Sequence, residues 1–222
     1  MFLDLYTFDV MSDLAFGRNF HRLEQGKDDY LMLTIHAVMT AAGATCHVPW
    51  LFPFFKLMPI LSRRYHKFQA YNANLVAERK KMKDPRPDIF SWLLESYEKT
   101  PVKTAKVEAD LRADSSLIVL AGGETTAITL TCALFHLAQN PKQVEKLRAE
   151  LHSIGSEVDL HAVGQRKLHH LDAVINEALR IDPVAPSGIQ MMAPAEGLLI
   201  GATWVPGGTI MQVPSYTTFR GG

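Results

Sequence analysis

The sequence has very little cysteine and no excess of charge of either sign. Its 222 residues include 2 cysteines, and 23 lysines and arginines balance 23 aspartates and glutamates, so the formal net charge is +0. Two cysteines outside a C-x-x-C pair cannot form a disulfide framework or a dithiol redox centre. A balanced charge offers no long-range attraction to a phosphate backbone. We therefore expect neither a disulfide scaffold nor a nucleic-acid partner.

The first residues lack the features of a secretory leader. The segment MFLDLYTFDV carries Asp4 and Asp9 and has no basic region, so no signal peptide is predicted. A long uncharged window, residues 31–55, is interrupted by histidines, threonines and prolines, which disfavour a membrane-spanning helix. The sequence therefore predicts an intracellular protein that is soluble or associated with a membrane surface.

Hydrophobic residues recur three and four positions apart through most of the first 182 residues, a spacing that predicts helices broken at proline and glycine. Residues 198–213 alternate instead and contain turn signals, so they predict a small β-meander near the carboxyl end. The predicted fold class is therefore mainly α. The predicted helices cover residues 3–16, a segment after 29, 62–83, 88–98, 105–136, 141–151 and 168–181.

Residues 48–61, VPWLFPFFKLMPIL, combine aromatic side chains with repeated proline. The prolines interrupt any helix, and the segment is too apolar for an ordinary surface connection. We therefore predict a loop that is buried or that contacts a membrane surface.

The segment AGGETT, residues 121–126, lies in the middle of the longest predicted helix. Each glycine costs a helix about 1 kcal/mol relative to alanine, so the segment needs a compensating reason. One reason is room for a flat cofactor or substrate, with Thr125 bonding the carbonyl of Ala121 and Glu124 beside the gap. A carboxyl group next to a hydroxyl can pass protons to a bound oxygen species. The alternative is a kinked core helix with a solvent-facing Glu124.

Glu177 and Arg180 stand three positions apart on the predicted helix 168–181. Taken alone, such a pair is typical of a weak surface ion pair. The order of signals is more informative. After AGGETT comes a helix for which Asn140 is the predicted N-cap and Pro141 the first residue. The E-x-x-R pair follows, and then the segment VPGGTIMQVPSYTTFR at 205–220. In this order they resemble the cytochrome P-450 superfamily of haem-thiolate monooxygenases, and in particular its fungal secondary-metabolism branch.

The resemblance implies specific roles for these residues. It gives Thr125 the role of hydroxyl donor in oxygen activation, with Glu124 as its acid neighbour. It places Ala121, Gly122 and Thr125 beside a haem. It also makes Glu177 and Arg180 a structural pair that holds the segment under the haem.

The resemblance further implies an activity and partners. Members oxidise or hydroxylate small apolar substrates with O2 and with electrons from an NADPH-dependent reductase. They are usually anchored to the endoplasmic reticulum, and residues 48–61 would then be the substrate-entrance and membrane-touching region.

The chain departs from the family pattern at the haem ligand. The family's thiolate comes from a cysteine in a loop that contains glycine and arginine, and this sequence has no such loop. Cys132, seven residues after Thr125, and Cys46, without a glycine-rich flank, are expected to be inert thiols. Met191 stands where relatives often have arginine. We therefore expect residues 1–222 to be a single partial domain, inactive alone, that lacks the amino-terminal anchor and the haem-cysteine segment.

Within this partial domain, residues 1–182 would form the central helices and residues 183–222 the β-meander segment. His169 and His170 lack a spaced partner, so no metal site is predicted on their helix. Two other hypotheses remain. One is a non-catalytic helical remnant that interacts with a membrane surface, and the other is an unrelated helical bundle in which both motifs are coincidental.

Overall fold

The computed structural model of the chain describes residues 2–26, 30–45, 59–82, 87–153 and 168–221, together with Val48, Trp50 and Phe54. The chain divides into two compact units, Met1–Ala127 and Ile128–Gly222. Most described residues are helical, which confirms the mainly α fold class.

The helices of the first unit follow the predicted periodicity. The apolar segment 48–61 lies mostly outside the described residues, but its end was predicted wrongly, because residues 59–61 are helical. Proline fits the first turn of a helix, where its missing N–H is not needed, so the helix begins at Pro59 rather than at residue 62. The elements are α1 (Phe2–Phe16), α2 (Arg22–Gln25), α3 (Tyr30–Thr45), α4 (Pro59–Lys81), α5 (Ile89–Lys99) and α6 (Ala105–Gln139), the last of which continues past the first unit.

A hydrophobic core of side chains from α1, α3, α4, α5 and α6 fills the first unit. Its largest fully buried side chains include Phe8 and Phe16 of α1 and Phe90 of α5. The rings of Phe16 and Phe90 lie 5.3 Å apart between centroids, a distance at which aromatic pairs attract beyond their buried area. Helix α1 is therefore an integral part of the hydrophobic core of the first unit.

In the described residues of the second unit, 128–153 and 168–221, the structure has the end of α6, three further helices and four short strands. The strands lie in the region where alternation predicted them, but their pairing is nested rather than sequential. β2 pairs with β3 across a tight turn at Gly201, whose φ is +60°, and β1 pairs with β4. The segment between β3 and β4 lies beside the end of β1, where the Gly208 N–H donates to the carbonyl of Ala193 at 3.1 Å. The elements are α7 (Pro141–His152), α8 (His169–Ile181), β1 (Gln190–Met192), β2 (Leu198–Ile200), β3 (Thr203–Val205), β4 (Ile210–Gln212) and α9 (Ser215–Arg220).

The N-cap of α7 differs from the sequence expectation, and a side chain of α7 bonds the start of α8. Pro141 opens α7 as predicted, but the Asn140 side chain makes no capping hydrogen bond and instead donates to the carbonyl of His136 at 2.8 Å. The carboxylate of Glu150 accepts the backbone N–H groups of His170 and Leu171, each at 2.9 Å. These backbone donors lower the pKa of Glu150, and they tie the start of α8 to α7.

A buried ion pair joins α4 to α5 in the first unit. Arg79 Nη2 donates to Asp88 Oδ2 at 2.7 Å, and their side chains are only 2% and 1% exposed. Asp88 is also the N-cap of α5, because its Oδ1 accepts the backbone N–H of Ser91 at 2.7 Å. The Asp88 carboxylate therefore caps the start of α5 and also neutralises the buried guanidinium of Arg79 on α4.

Replacing Arg79 with alanine should destabilise the first unit strongly, because it leaves the Asp88 carboxylate buried without its cation. We expect a loss of about 3 kcal/mol in the free energy of unfolding, measured by urea titration followed by circular dichroism. The matched control is Lys99→Ala, which removes an exposed pair with Glu95 and should cost about 0.5 kcal/mol or less. Equal losses in the two variants would contradict the structural role of the buried pair.

Candidate active site

The AGGETT segment lies on α6 within a stretch that is helical without interruption. Thr125 Oγ1 donates to the carbonyl of Ala121 at 2.6 Å, and Thr126 Oγ1 donates to the carbonyl of Gly122 at 3.2 Å. The first of these is the hydrogen bond that the sequence predicted. It holds the Thr125 hydroxyl along the helix, one turn back toward Ala121.

The two glycines of the segment allow α1 to pack closely on α6. A Cβ atom on Gly122 would lie 2.5 Å from Met11 Cγ, and one on Gly123 would lie 3.4 Å from Phe8 Cδ2. The first distance is shorter than any ordinary carbon contact, so a side chain at Gly122 would require Met11 to move. Side chains of α1 therefore give Gly122 a packing reason that the sequence analysis did not include. Its contact with a cofactor stays a prediction.

Glu124 is a half-buried carboxyl group rather than the solvent-facing residue of the alternative hypothesis. Its Oε2 atom is sealed from solvent and has no hydrogen-bond partner. Burial raises the pKa of Glu124, the nearby charge of Asp4 adds to this rise, and His36 opposes it. A carboxyl group in this setting holds its proton to higher pH than an exposed glutamate does.

Glu177 and Arg180 form a two-pronged ion pair on α8. Arg180 Nε donates to Glu177 Oε2 and Nη2 donates to Oε1, both at 2.7 Å. The hydrogen bonds from Arg180 lower the pKa of Glu177, although both side chains are about half exposed. The third guanidinium nitrogen, Nη1, donates to the carbonyl of Phe219 in α9 at 2.6 Å. The pair thus connects α8 to the segment that follows the strands.

A second arginine, Arg220, completes this connection from the opposite side. Its Nε and Nη2 donate to the carbonyl of Ile181 at 3.0 and 2.7 Å, and Nη2 lies 3.3 Å from Asp182 Oδ1. Its guanidinium stacks 4.0 Å from the ring centroid of Tyr216. Each arginine therefore binds a carbonyl of the other helix. The sequence analysis missed Arg220, because no local pattern predicts a contact across 39 residues.

The cysteine that the structure describes is a poor candidate for an iron ligand. Burial, followed by the charge of Asp182, raises the pKa of the Cys132 thiol, so the thiolate form is disfavoured. Cys46 lies outside the described residues. Within the described ranges, no group of three or more histidine, cysteine, aspartate or glutamate side chains could hold a metal ion. The described residues therefore supply no favourable thiolate ligand, and the roles of Glu124, Thr125, Glu177 and Arg180 stay predictions.

Comparison with solved structures defines the class of fold. The chain superposes on the crystal structure of a cytochrome P-450, CYP102L1, with a TM-score of 0.75 at 19% identity, covering 98% of this chain and 47% of that one. A sequence model described as Cytochrome P-450 matches residues 1–220. The chain belongs to the cytochrome P-450 family, as the order of its motifs indicated.

The curated relatives are fungal monooxygenases. Cytochrome P-450 monooxygenase FCK2 of Fusarium pseudograminearum is 41% identical over 221 residues, which is 99% of this chain and 40% of the relative. Cytochrome P-450 monooxygenase orf5 of Eupenicillium brefeldianum is 38% identical, with 98% and 44% covered. Tryprostatin B 6-hydroxylase of Aspergillus fumigatus is 32% identical, with 98% and 39% covered. The chain therefore spans less than half the length of these relatives.

Adding a methyl group at Gly122 should destabilise the first unit, because it would force Met11 away from α6. The clash costs about 1–3 kcal/mol, which outweighs a gain in helix propensity of about 1 kcal/mol. The control is Gly43→Ala on α3, where a Cβ atom meets nothing within 4 Å, so that variant should gain stability. Urea midpoints compare the two. A Gly122→Ala protein as stable as Gly43→Ala would rule out the close contact with α1.

Replacing Glu124 with glutamine should stabilise the protein most at alkaline pH. The folded pKa of Glu124 is raised, so its ionisation opposes folding above the unfolded carboxyl pKa of about 4.3 and has no effect below it. The difference in urea midpoint between Glu124→Gln and the unaltered chain should therefore grow between pH 4 and pH 8. Glu145→Gln, on the exposed face of α7, should show no such growth. A difference that shrinks with pH would mean that Glu124 is stabilised as a carboxylate.

Proposed function

We propose that the chain is the central part of a haem-thiolate monooxygenase that oxidises or hydroxylates an apolar secondary metabolite. The observation that carries this proposal is the Oε2 of Glu124, which is sealed from solvent and has no hydrogen-bond partner among the described residues, in a chain of the cytochrome P-450 family. An orphaned buried oxygen is costly in a merely structural helix, so its retention favours a functional use. The relatives are named as monooxygenases, which supports the same reaction class.

The residues that would hold the haem follow from the motif positions. By the family motif, Ala121, Gly122 and Thr125 would contact the haem, and Glu177 with Arg180 would be a structural pair. When bound, the haem supplies the iron chemistry that activates O2. Its thiolate ligand and its reductase contacts belong to the whole protein, so this chain alone is expected to be inactive.

Within this scheme, Glu124 and Thr125 would move protons. Glu124 holds a proton at a carboxyl group whose pKa is raised by burial, so it keeps that proton to higher pH than an exposed glutamate does. The Thr125 hydroxyl donates to the carbonyl of Ala121, and the lone pairs of its oxygen can accept a further hydrogen bond. Glu124 would therefore supply the proton, and Thr125 would position it by hydrogen bonding.

The substrate, reductase and location of the whole protein follow the family. The substrate would be a small apolar metabolite and the electrons would come from an NADPH-dependent reductase at the endoplasmic reticulum. Membrane contact through residues 48–61 is supported by Trp50 and Phe54, which are 69% and 58% exposed. One described helix, Ala105–Gln139, is apolar and long enough to cross a membrane, a property that soluble core helices share.

The proton-path role predicts that Thr125→Ala uncouples oxygen use from product formation. Residues 1–220 would replace the matching segment of FCK2, so that the relative supplies the missing cysteine loop. We expect the chimera to bind haem and the Thr125→Ala chimera to consume NADPH with severalfold more peroxide per product. Thr126→Ala is the control, since Thr126 is exposed, its hydroxyl donates to the carbonyl of Gly122, and its loss should leave coupling unchanged.

Two outcomes of the chimera experiment would count against the proposed function. A soluble, helical chimera without a thiolate-type Soret shift in the reduced carbon-monoxide spectrum would mean that these residues do not form a haem site. A chimera with that shift, whose Thr125→Ala variant keeps full coupling, would remove Thr125 from the proton path.

A further inference from the structure

An open cavity of about 550 Å³ lies between α4 and α6 in the first unit, and four residues of its rim, Ala109, Arg112, Ala113 and Leu117, are exposed. This volume is within the range of about 300–1,000 Å³ that is typical of small-molecule sites. Small side chains on facing helices open the gap, and two leucines of α6 give it an apolar wall. The described residues that line the cavity are Tyr65, Gln69 and Ala73 of α4 and Ala109, Arg112, Ala113, Ser116, Leu117 and Leu120 of α6.

Arg112 brings a positive charge to this cavity. The hydrogen bonds of Tyr97 and Lys80 lower the pKa of Glu108, and the charge of Arg112 makes a smaller contribution. Arg112 Nε donates to the backbone carbonyl of Glu108 at 3.2 Å, and no carboxylate of a described residue forms an ion pair with it. Glu108 would be its natural partner one turn away, but both oxygens of that carboxylate lie 3.0 Å from Lys80 Nζ, and Tyr97 also donates to it. None of the described lining residues is acidic. The guanidinium therefore has donors left for a ligand.

The opposite wall carries neutral hydrogen-bonding groups. Tyr65 and Gln69 lie one turn apart on α4, and neither side chain makes a hydrogen bond to another described residue. One arginine with two neutral groups matches a ligand of single negative charge, since a phosphate dianion would favour a second cation. Leu117, which is 63% exposed, and Leu120 offer apolar contact beside this polar end. The cavity is thus polar at Arg112 and apolar toward Leu120.

We propose that this cavity binds the carboxylate end of an apolar ligand, with Arg112 donating to the carboxylate and the leucines contacting its hydrocarbon body. Leu120 directly precedes Ala121, so a ligand in the cavity extends along α6 toward the AGGETT segment. That this ligand is the substrate of the monooxygenase rests on the proposed function. The binding itself depends only on α4 and α6, and it makes Arg112 a determinant of specificity for acidic substrates.

The test is calorimetric titration of the haem-free chain with octanoate and with 1-octanol, which share a hydrocarbon body and differ in charge. We expect octanoate to bind about tenfold more tightly, the usual value of a hydrogen bond to a charged partner. Arg112→Gln should abolish this preference and leave octanol binding unchanged. Arg148→Gln, which removes an exposed arginine of α7, should keep the preference. Leu117→Trp should weaken both ligands, because the indole ring enters the cavity.

Equal binding of octanoate and octanol by the unaltered chain would overturn the proposal, and so would a preference that survives Arg112→Gln. Absence of binding by either ligand would overturn it as well. Salt provides an independent measurement without any variant, since rising NaCl should weaken octanoate and spare octanol. No haem is present, so a failure of the chimera experiment would leave this result standing, and a failure here would leave the chimera result standing.

Discussion

The close contact between α1 and α6 is the constraint on which the candidate site depends. Met11 and Phe8 approach so near to Gly122 and Gly123 that a side chain at the first position would collide with Met11. This contact brings α1 beside the AGGETT segment, and Asp4 of α1 acts on Glu124 together with the burial that raises its pKa. Gly122 and Gly123 therefore influence Glu124 indirectly. They allow α1 to pack closely against α6, and this packing contributes to the burial that raises the pKa of the Glu124 carboxyl group.

The sequence predicted the helices well and the contacts between them poorly. Amphipathic spacing and proline signals located α1, α5, α7 and α8 within a few residues, because a helix depends on neighbours in the chain. Local chemistry likewise predicted the hydrogen bond from Thr125 to Ala121, which spans one turn. The predicted Asn140 cap is wrong: its Nδ2 donates to the carbonyl of His136 in the preceding helix, and its Oδ1 accepts no backbone N–H of α7. A cap depends on how the side chain is oriented, and sequence alone does not show which neighbouring backbone group it will bond.

The contacts that the sequence missed join residues far apart in the chain. Glu150 accepts the backbone N–H groups at the start of α8, and Arg220 reaches the carbonyl that ends it. The E-x-x-R motif was recognisable, but its structural meaning depends on Phe219, which no spacing rule connects to Arg180. Apolar periodicity has the same limit. Ile175 and Leu179 stand four positions apart on α8, a spacing typical of a packed face, yet both side chains are exposed, because periodicity defines a face and not what covers it.

The arginines show how partner geometry separates structural from ligand-binding roles. Arg79 is buried and neutralised by Asp88, and Arg180 and Arg220 spend their donors on Glu177 and on carbonyls of neighbouring helices. Removing any of these would leave protein groups unsatisfied, so their function is to hold helices together. Arg112 differs, because the carboxylate one turn away is bound by Lys80 and Tyr97. The described lining of the cavity contains no acidic residue, so the Arg112 guanidinium has N–H donors available to a ligand. Because the guanidinium is positive, the ligand that it favours is negative.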